Sequence, residues 1–444
     1  MNNWLKTLVG ISLLSCSYNS LALSICHDSF NPKLKITKGR PSSNGFDAAK
    51  LALVDKIIES DVAHGFPGAE LLVMHNGVVV RHTAYGYKKL YDMHGQKLTK
   101  PQRMQCNTEF DLASNTKMYA TNYALMHLVY QNKINLESPI SYYIPEYIGC
   151  DSNNHCRDKI TVKQLLTHTS GYMADAKFFD PEFMANYGDG LYSQESNLTK
   201  QIILTKLPFM QEIESTPNYS DIDFMLLGIL VERVTGINLA EYVQDNIYQP
   251  LGLTHTFFNP LQHGLAVRQC AATELNGNTR NGVINFPNIR TQTIQCQVHD
   301  EKAYYSMAGV SGHAGLFSTA HDMAILTQLM LDNGSMVGHQ FWGESTTQLF
   351  TTPLDSNDSY ALGWRLAGDK DRYKYLGNQT DSHAFGHTGW IGTVTVIDPK
   401  HQLVIILLTN KKHTPIKSGK FTGDKYDTGK YYPVIDAVYQ AMID

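Results

Sequence analysis

The chain has 444 residues, enough for two or three structural units at about 150 residues each. Hydrophobic residues make up 43% and charged residues 18%, so a large core can be buried, and 33 glycines with 16 prolines fit neither a fibre nor a disordered chain. A net charge of −4 without a polybasic block argues against a nucleic-acid partner. The lack of any internal apolar run of about 18 residues excludes a polytopic membrane protein.

At the N-terminus, Lys6 precedes an uncharged run from Thr7 to Leu23 with a short apolar centre, Leu8 to Leu14. Ser20-Leu21-Ala22 then supplies small residues where a signal peptidase cuts. Residues 1–22 read as an export signal. Leu13-Leu14-Ser15-Cys16 also fits a lipid-attachment site, and an uncleaved anchor is a third form, although Ser17 to Ser20 is polar for that. The expected location is the bacterial periplasm, with membrane contact only through this segment. There are seven cysteines, and setting Cys16 aside leaves six, which an oxidising compartment permits to pair. Cys150 and Cys156 would close a short polar loop and Cys270 with Cys296 a longer one, leaving Cys26 with Cys106; this is one of about 15 pairings. No Cys-x-x-Cys occurs, which weakens zinc and redox readings.

Along the chain, Phe46 to His64 carries Leu51, Leu53, Val54, Ile57 and Ile58 near one helical face. Glu70 to Met74 and Val78 to Thr83 flank Asn76-Gly77, a strong hairpin signal. From about Ser114 to Val267 the pattern is mostly helical, and residues 271–300 are polar and predicted as a long loop. Helical pattern returns at His321 to Leu331. A second hairpin, Thr393 to Ile397 with Leu403 to Thr409, turns at Asp398-Pro399, and Tyr431 to Ile443 reads as a closing helix. The fold class is therefore α+β: one antiparallel sheet built from both chain ends, flanked by helices, with a mostly helical region inserted. The division predicted is 27–113 plus 300–444 for the sheet region and 114–299 for the helical region, together one catalytic unit.

Several chemistries lack their motifs. There is no Gly-x-Ser-x-Gly, no His-Glu-x-x-His and no phosphate-cradling glycine loop, and the 18 histidines show no clear metal-ligand spacing. The reading is metal-free and cofactor-free. Ser114-Asn115-Thr116-Lys117 is the only Ser-x-x-Lys in the chain. Such a tetrad arises by chance in a chain of this length, and by itself it is equally a helix-capping serine followed by a solvated lysine. Its context is an amphipathic helix, on which residues i and i+3 are neighbours. Serine is a weak nucleophile until a base takes its proton. A free lysine is neutral in only about one molecule in 2,500 at pH 7, so Lys117 would have to be desolvated to act as that base.

Phe110 to Lys117, Leu165-Leu166-Thr167-His168-Thr169-Ser170-Gly171, Tyr219-Ser220-Asp221 followed by Leu226-Leu227-Gly228, Gly312-His313-Ala314-Gly315-Leu316-Phe317-Ser318-Thr319 and His387-Thr388-Gly389-Trp390 occur in that order. This set resembles the class C β-lactamase-like serine hydrolases, which include penicillin-binding proteins and esterases. The resemblance implies a nucleophile at Ser114, its proton acceptor at Lys117, and a proton shuttle at Tyr219. It further implies an oxyanion hole from the backbone N–H groups of Ser114 and Trp390, and substrate-binding positions at Asp221, His387, Thr388 and Gly389. The 165–171 and 312–319 stretches are expected to be scaffold.

Two positions depart from the family pattern. His387 stands where many relatives carry a lysine that supplies fixed positive charge for a substrate carboxylate; only as imidazolium could it do so. Asp221 stands where an asparagine is usual, and a carboxylate aimed at the site would favour protonated Lys117 and oppose general-base work. The implied activity is acylation and deacylation of a peptidoglycan peptide as a D-alanyl-D-alanine carboxypeptidase, with β-lactams as covalent ligands. Alternatives are an esterase, D-amino-acid amidase or weak β-lactamase acting on a small acyl substrate, or a catalytically silent envelope protein that binds muropeptides.

Overall fold

The computed structural model describes residues 23–443 apart from 152, 214–215, 354–358 and 369–372. The predicted export signal and Cys16 lie outside the described residues. Near the start, strands β1 (Leu23–Ile25) and β2 (Thr37–Lys38) precede helix α1 (Ala48–Ala63). The Asp47 carboxylate caps α1 by accepting from the N–H groups of Ala49 and Lys50. Its buried stripe is Leu51, Val54, Ile58 and Val62, at three- and four-residue spacing. Leu53 of the expected stripe is 51% exposed, because two residues from Leu51 a side chain points away from the shared face.

The first hairpin is β3 (Gly68–His75) with β4 (Val78–Tyr91). Asn76 and Gly77 both have positive φ, as a two-residue turn of the primed type demands. Strand β4 runs on past the expected end and folds against β5 (Lys97–Arg103), which the sequence pattern did not predict. That strand is largely exposed and polar, with a proline, so it carries no period-two apolar signal. At the other end of the chain, β6 (Arg365–Leu366), β7 (Phe385–Gly389), β8 (Thr393–Asp398) and β9 (Leu403–Thr409) follow in antiparallel succession. Strand β9 pairs antiparallel with β3, from Leu403↔His75 to Thr409↔Ala69. The sheet order is thus β1-β4-β3-β9-β8-β7-β6, with β2 and β5 also on β4. The two chain ends build one sheet, as expected.

Every residue of β9 is buried, so both sheet faces are covered. Alternation sorts the side chains. Leu71, Val73, Ile405 and Leu407 face α1 and the closing helix Tyr432–Gln440, while Leu72, Met74, Val404, Ile406 and Leu408 face the helical region. Within that region lie α2 (Tyr123–Tyr130) and α3 (Asp221–Thr235), with α4 (Ala320–Leu331) following it. The boundaries at 113/114 and 299/300 are bridged by a small sheet in which Leu316–Ser318 pairs with both Phe110–Asp111 and Phe257–Phe258. Residues 271–300 are not a free loop: Ala272–Glu274 pairs with Ile294–Gln295. All three expected disulfides are present, Cys26–Cys106, Cys150–Cys156 and Cys270–Cys296. Among the described residues no helix is long and apolar enough to cross a membrane.

Candidate active site

Ser114 sits in a 3-10 turn, Ala113–Asn115, that leads through a π-helical stretch, Lys117–Asn122, into α2. The expected plain α-helical start is therefore a tighter turn followed by a wider one, and in a 3-10 turn residues i and i+3 eclipse. Long-range contacts fix this turn. Asp111 accepts the N–H of Ala113 at 2.8 Å and that of His299 at 2.7 Å. Burial pushes its carboxyl up to about 6, against the pull of those two N–H groups. Thr393 on β8 donates to Leu112 O at 3.0 Å and accepts from the Asn115 amide at 3.0 Å. Gly389 allows β7 to lie against the turn, because a Cβ there would stand 2.5 Å from Leu112 O. Trp390, next in the chain, is thereby brought beside Ser114, on the same cleft.

Lys117 is wholly buried and donates from Nζ to Ser114 Oγ at 3.0 Å, to Asp221 Oδ1 at 2.8 Å and to the His313 carbonyl at 3.4 Å. Its Nζ is 4.8 Å from the centroid of the Tyr219 ring. Burial acts to lower the lysine pKa, but the Asp221 carboxylate, helped by Tyr219, outweighs it and the net direction is upward. Lys117 is desolvated, as a base there requires, but the inward Asp221 favours the protonated amine, because the partner is a carboxylate and not an amide. Asp221 in turn is held far below the ordinary carboxylate range. Its burial is overcome by Lys117, by Lys302, whose Nζ stands 3.1 Å from Asp221 Oδ2, and by His313. Lys302 carries no sequence signal, and it is a second cation on the Asp221 carboxylate.

Tyr219 precedes α3 and is placed by the 165–171 stretch. His168 Nδ1 stands 2.9 Å from Asp223 Oδ2 and 3.2 Å from Ser220 N. Ser170 donates to Asp223 Oδ1, and Asn218 N donates to His168 O at 2.8 Å. The His168 and Tyr219 ring centroids are 4.8 Å apart. The 312–319 stretch lets α3 approach, since a Cβ on Gly312 would stand 2.0 Å from Phe224 O and 3.0 Å from Gly228 Cα. Both stretches act as scaffold for the site.

Ser114, Tyr219, Asp221, Thr388, Gly389 and Trp390 all line one cleft of about 820 Å³. Lys117 lies behind Ser114. His387 does not line that cleft; it is fully buried with its ring 6.0 Å from Tyr219. Burial holds its pKa well below the usual imidazole value, reinforced by the Arg365 and Lys117 charges. An imidazolium at His387 titrating near pH 6.5 is therefore not available for a carboxylate. The residue that sequence reasoning missed is Arg365 on β6. It lines the cleft, and its guanidinium stands 5.1 Å from the ring centroids of Tyr219 and Tyr360 and 4.6 Å from that of Tyr375. Its Nε and Nη1 are buried without a hydrogen-bond partner among the described residues. Asp221, Asp300 and His313 have ligand types that gather as a metal site would, but the Lys302 ammonium stands 3.1 and 3.5 Å from the two carboxylates and already supplies the cation.

A cleft-lining serine backed by a buried lysine and sharing its cleft with a tyrosine, on an α+β frame whose sheet joins both chain ends, is the arrangement of a serine acyl-transfer hydrolase. The family model described as Beta-lactamase matches residues 54–422. The chain is 48% identical over 403 residues, 89% of its length and 90% of the relative's, to "N-acetylmuramyl-L-alanine amidase" of Bacillus subtilis. It is 40% identical over 448 residues, covering 98% and 99%, to "Putative D-alanyl-D-alanine carboxypeptidase" of Escherichia coli K12. Among solved structures, a penicillin-binding protein homologue from Caulobacter crescentus superposes with TM-score 0.60 at 20% identity, over 90% of this chain and 99% of that one. EstCE1, a hydrolase with promiscuous acyltransferase activity, gives 0.63 at 19%, over 88% and 99%. The chain belongs to the β-lactamase and penicillin-binding-protein family of serine hydrolases, whose members work through an acyl-enzyme.

Proposed function

We propose that this protein is a periplasmic D-alanyl-D-alanine carboxypeptidase acting on peptidoglycan stem peptides. The observation that carries the reading is the 3.0 Å contact between Lys117 Nζ and Ser114 Oγ on a cleft shared with Tyr219. Lys117 first releases its own proton to solvent, and Ser114 Oγ then attacks the penultimate D-alanine carbonyl while the serine proton passes to the neutral Lys117 amine. The N–H groups of Ser114 and Trp390 receive the developing oxyanion. The C–N bond breaks, and Tyr219 delivers a proton to the leaving D-alanine amine. Water, deprotonated through Tyr219, then attacks the acyl ester and releases Ser114. Arg365 supports a carboxylate-bearing substrate: it brings to the cleft a cation whose Nε and Nη1 have no partner among the described residues, which His387 cannot. Three disulfides support an oxidising compartment such as the periplasm, and the relatives named as carboxypeptidases support the substrate.

A labelled penicillin or fluorophosphonate, read by intact mass, tests the site. One adduct is expected on the wild type and none on Ser114→Ala; labelling that persists in the variant overturns the assignment, and binding of muropeptides with no adduct ever formed would favour a silent binder. The second reading is cleavage at the other end of the stem peptide, favoured by the 48% identical relative named as an amidase. Mass analysis of a digested muramyl pentapeptide decides: loss of one D-alanine supports the carboxypeptidase, and separation of the peptide from the sugar supports the amidase. Turnover of short acyl esters with both peptide bonds intact would point to an esterase.

A further inference from the structure

Asp221 lies between two ammonium groups. Its Oδ1 faces Lys117 at 2.8 Å and its Oδ2 faces Lys302 at 3.1 Å. Lys302, at 6% side-chain exposure, also meets Asp175 Oδ1 at 2.6 Å and Asp300 Oδ2 at 3.5 Å. Asp300 is tied from the other side by His313 Nε2 at 2.8 Å, and His313 Nδ1 stands 2.8 Å from Ser311 Oγ. The groups bearing on this array are therefore Lys117, Tyr219, Asp223 and His387 on one side and Asp175, Asp300 and His313 on the other.

We propose that Lys302 is a positioning residue for acylation: by occupying the far oxygen of Asp221 it divides that carboxylate's charge and lets Lys117 give up its proton to become the base for Ser114. The argument is Coulombic. An aspartate alone beside Lys117 would lock the ammonium, and a second ammonium on the same carboxylate weakens that lock while repelling the first. Lys302 also anchors the carboxylate, so that Oδ1 keeps its place beside Lys117. The ordinary way to avoid the lock is a neutral amide at position 221. Here a counter-ion on the carboxylate relieves part of the lock, and the site acquires a charge pair that opens toward the cleft at Asp175, whose side chain is 48% exposed. Removing the Lys302 charge leaves Asp175 and Asp300 without that ammonium and Asp221 with Lys117 as its one lysine partner.

This rests on Ser114 and Lys117 acting as proposed above. The test is the rate of Ser114 labelling by a fluorophosphonate from pH 6 to 10 for the wild type, Lys302→Met, Lys302→Arg and the double variant Lys302→Met/Asp221→Asn. The wild-type rate is expected to rise with pH as Lys117 loses its proton. In Lys302→Met the rising limb should move to higher pH by about one unit or more, with an about tenfold or larger loss at pH 8. Lys302→Arg should keep the wild-type limb, and the double variant should return toward it because the carboxylate is gone. A Lys302→Met limb unmoved from the wild type overturns the role of Lys302 while leaving the Ser114 assignment intact. No labelling of the wild type at any pH overturns the active-site reading itself. If Lys302→Met does not fold, as read by circular dichroism, Lys302→Gln serves in its place: its limb should likewise move to higher pH, and an unmoved limb again overturns the proposal.

Discussion

Replacing Arg365 by glutamine removes the charge of the cleft-lining guanidinium and keeps much of its length. The side chain stands over Tyr219, Tyr360 and Tyr375, with Nε and Nη1 unpartnered among the described residues. A substrate carboxylate brought to about 4 Å from it would gain about 4 kcal/mol at an effective dielectric constant near 20. Desolvation of the two ions returns part of this, so a loss of about 2–3 kcal/mol is expected, or roughly 30- to 140-fold in kcat/KM at 1.4 kcal/mol per factor of ten. The assay compares a peptide ending in D-Ala-D-Ala with the same peptide carrying a C-terminal amide. Arg365→Gln should lose that factor on the acid and change by less than about threefold on the amide, so that the two become similar substrates. Because Arg365 also packs on Tyr219, a variant that lost activity equally on both peptides would mean that the arginine only supports the tyrosine. No loss on either would refute the reasoning altogether.

His82 is buried between Asp28, 2.8 Å from Nδ1, and Glu70, 2.6 Å from Nε2. Burial opposes its charge, but the two carboxylates win and raise it to about 9. A histidine raised in the folded state stabilises fully below its unfolded value of about 6.5 and loses that contribution as pH climbs to about 9. The thermal midpoint of the wild type should therefore fall across that window by an amount matching about 3 kcal/mol, and His82→Gln should start lower and flatten the slope; equal slopes would remove His82 as the cause. Gly312→Ala would place a methyl 2.0 Å from Phe224 O, pushing α3 away from the Ser114 turn. A urea melt should show at least about 2 kcal/mol of destabilisation and the labelling rate should fall with it; an unchanged melt would mean that the contact relaxes freely.

Much of the frame was legible because it is local. The Asn76-Gly77 turn, the alternation around Asp398-Pro399 and the apolar stripes of the terminal helices each depend on a few neighbouring residues. Strand β5 was missed since an exposed edge strand needs no apolar period. The strap at residues 271–300 was read as a loop because its pairing spans about twenty residues and leans on a disulfide. In the site, Arg365 went unnoticed: one arginine on a two-residue strand has no motif, and its significance comes from its place on the cleft beside Tyr219, which the fold brings from a distant segment.

By itself the amino-acid order determined that Ser114 and Lys117 come within reach of each other on a helical turn, since residues three apart are neighbours there. It also determined that Asp221, if turned inward, would hold the lysine's proton. Only the tertiary structure decided that Asp221 does turn inward, that Lys302 takes its other oxygen, and that His387 is sealed in as a neutral ring while Arg365 lines the cleft. Protonation depends on burial and on charges brought within a few ångströms by the fold, and neither quantity is written in the spacing of a motif.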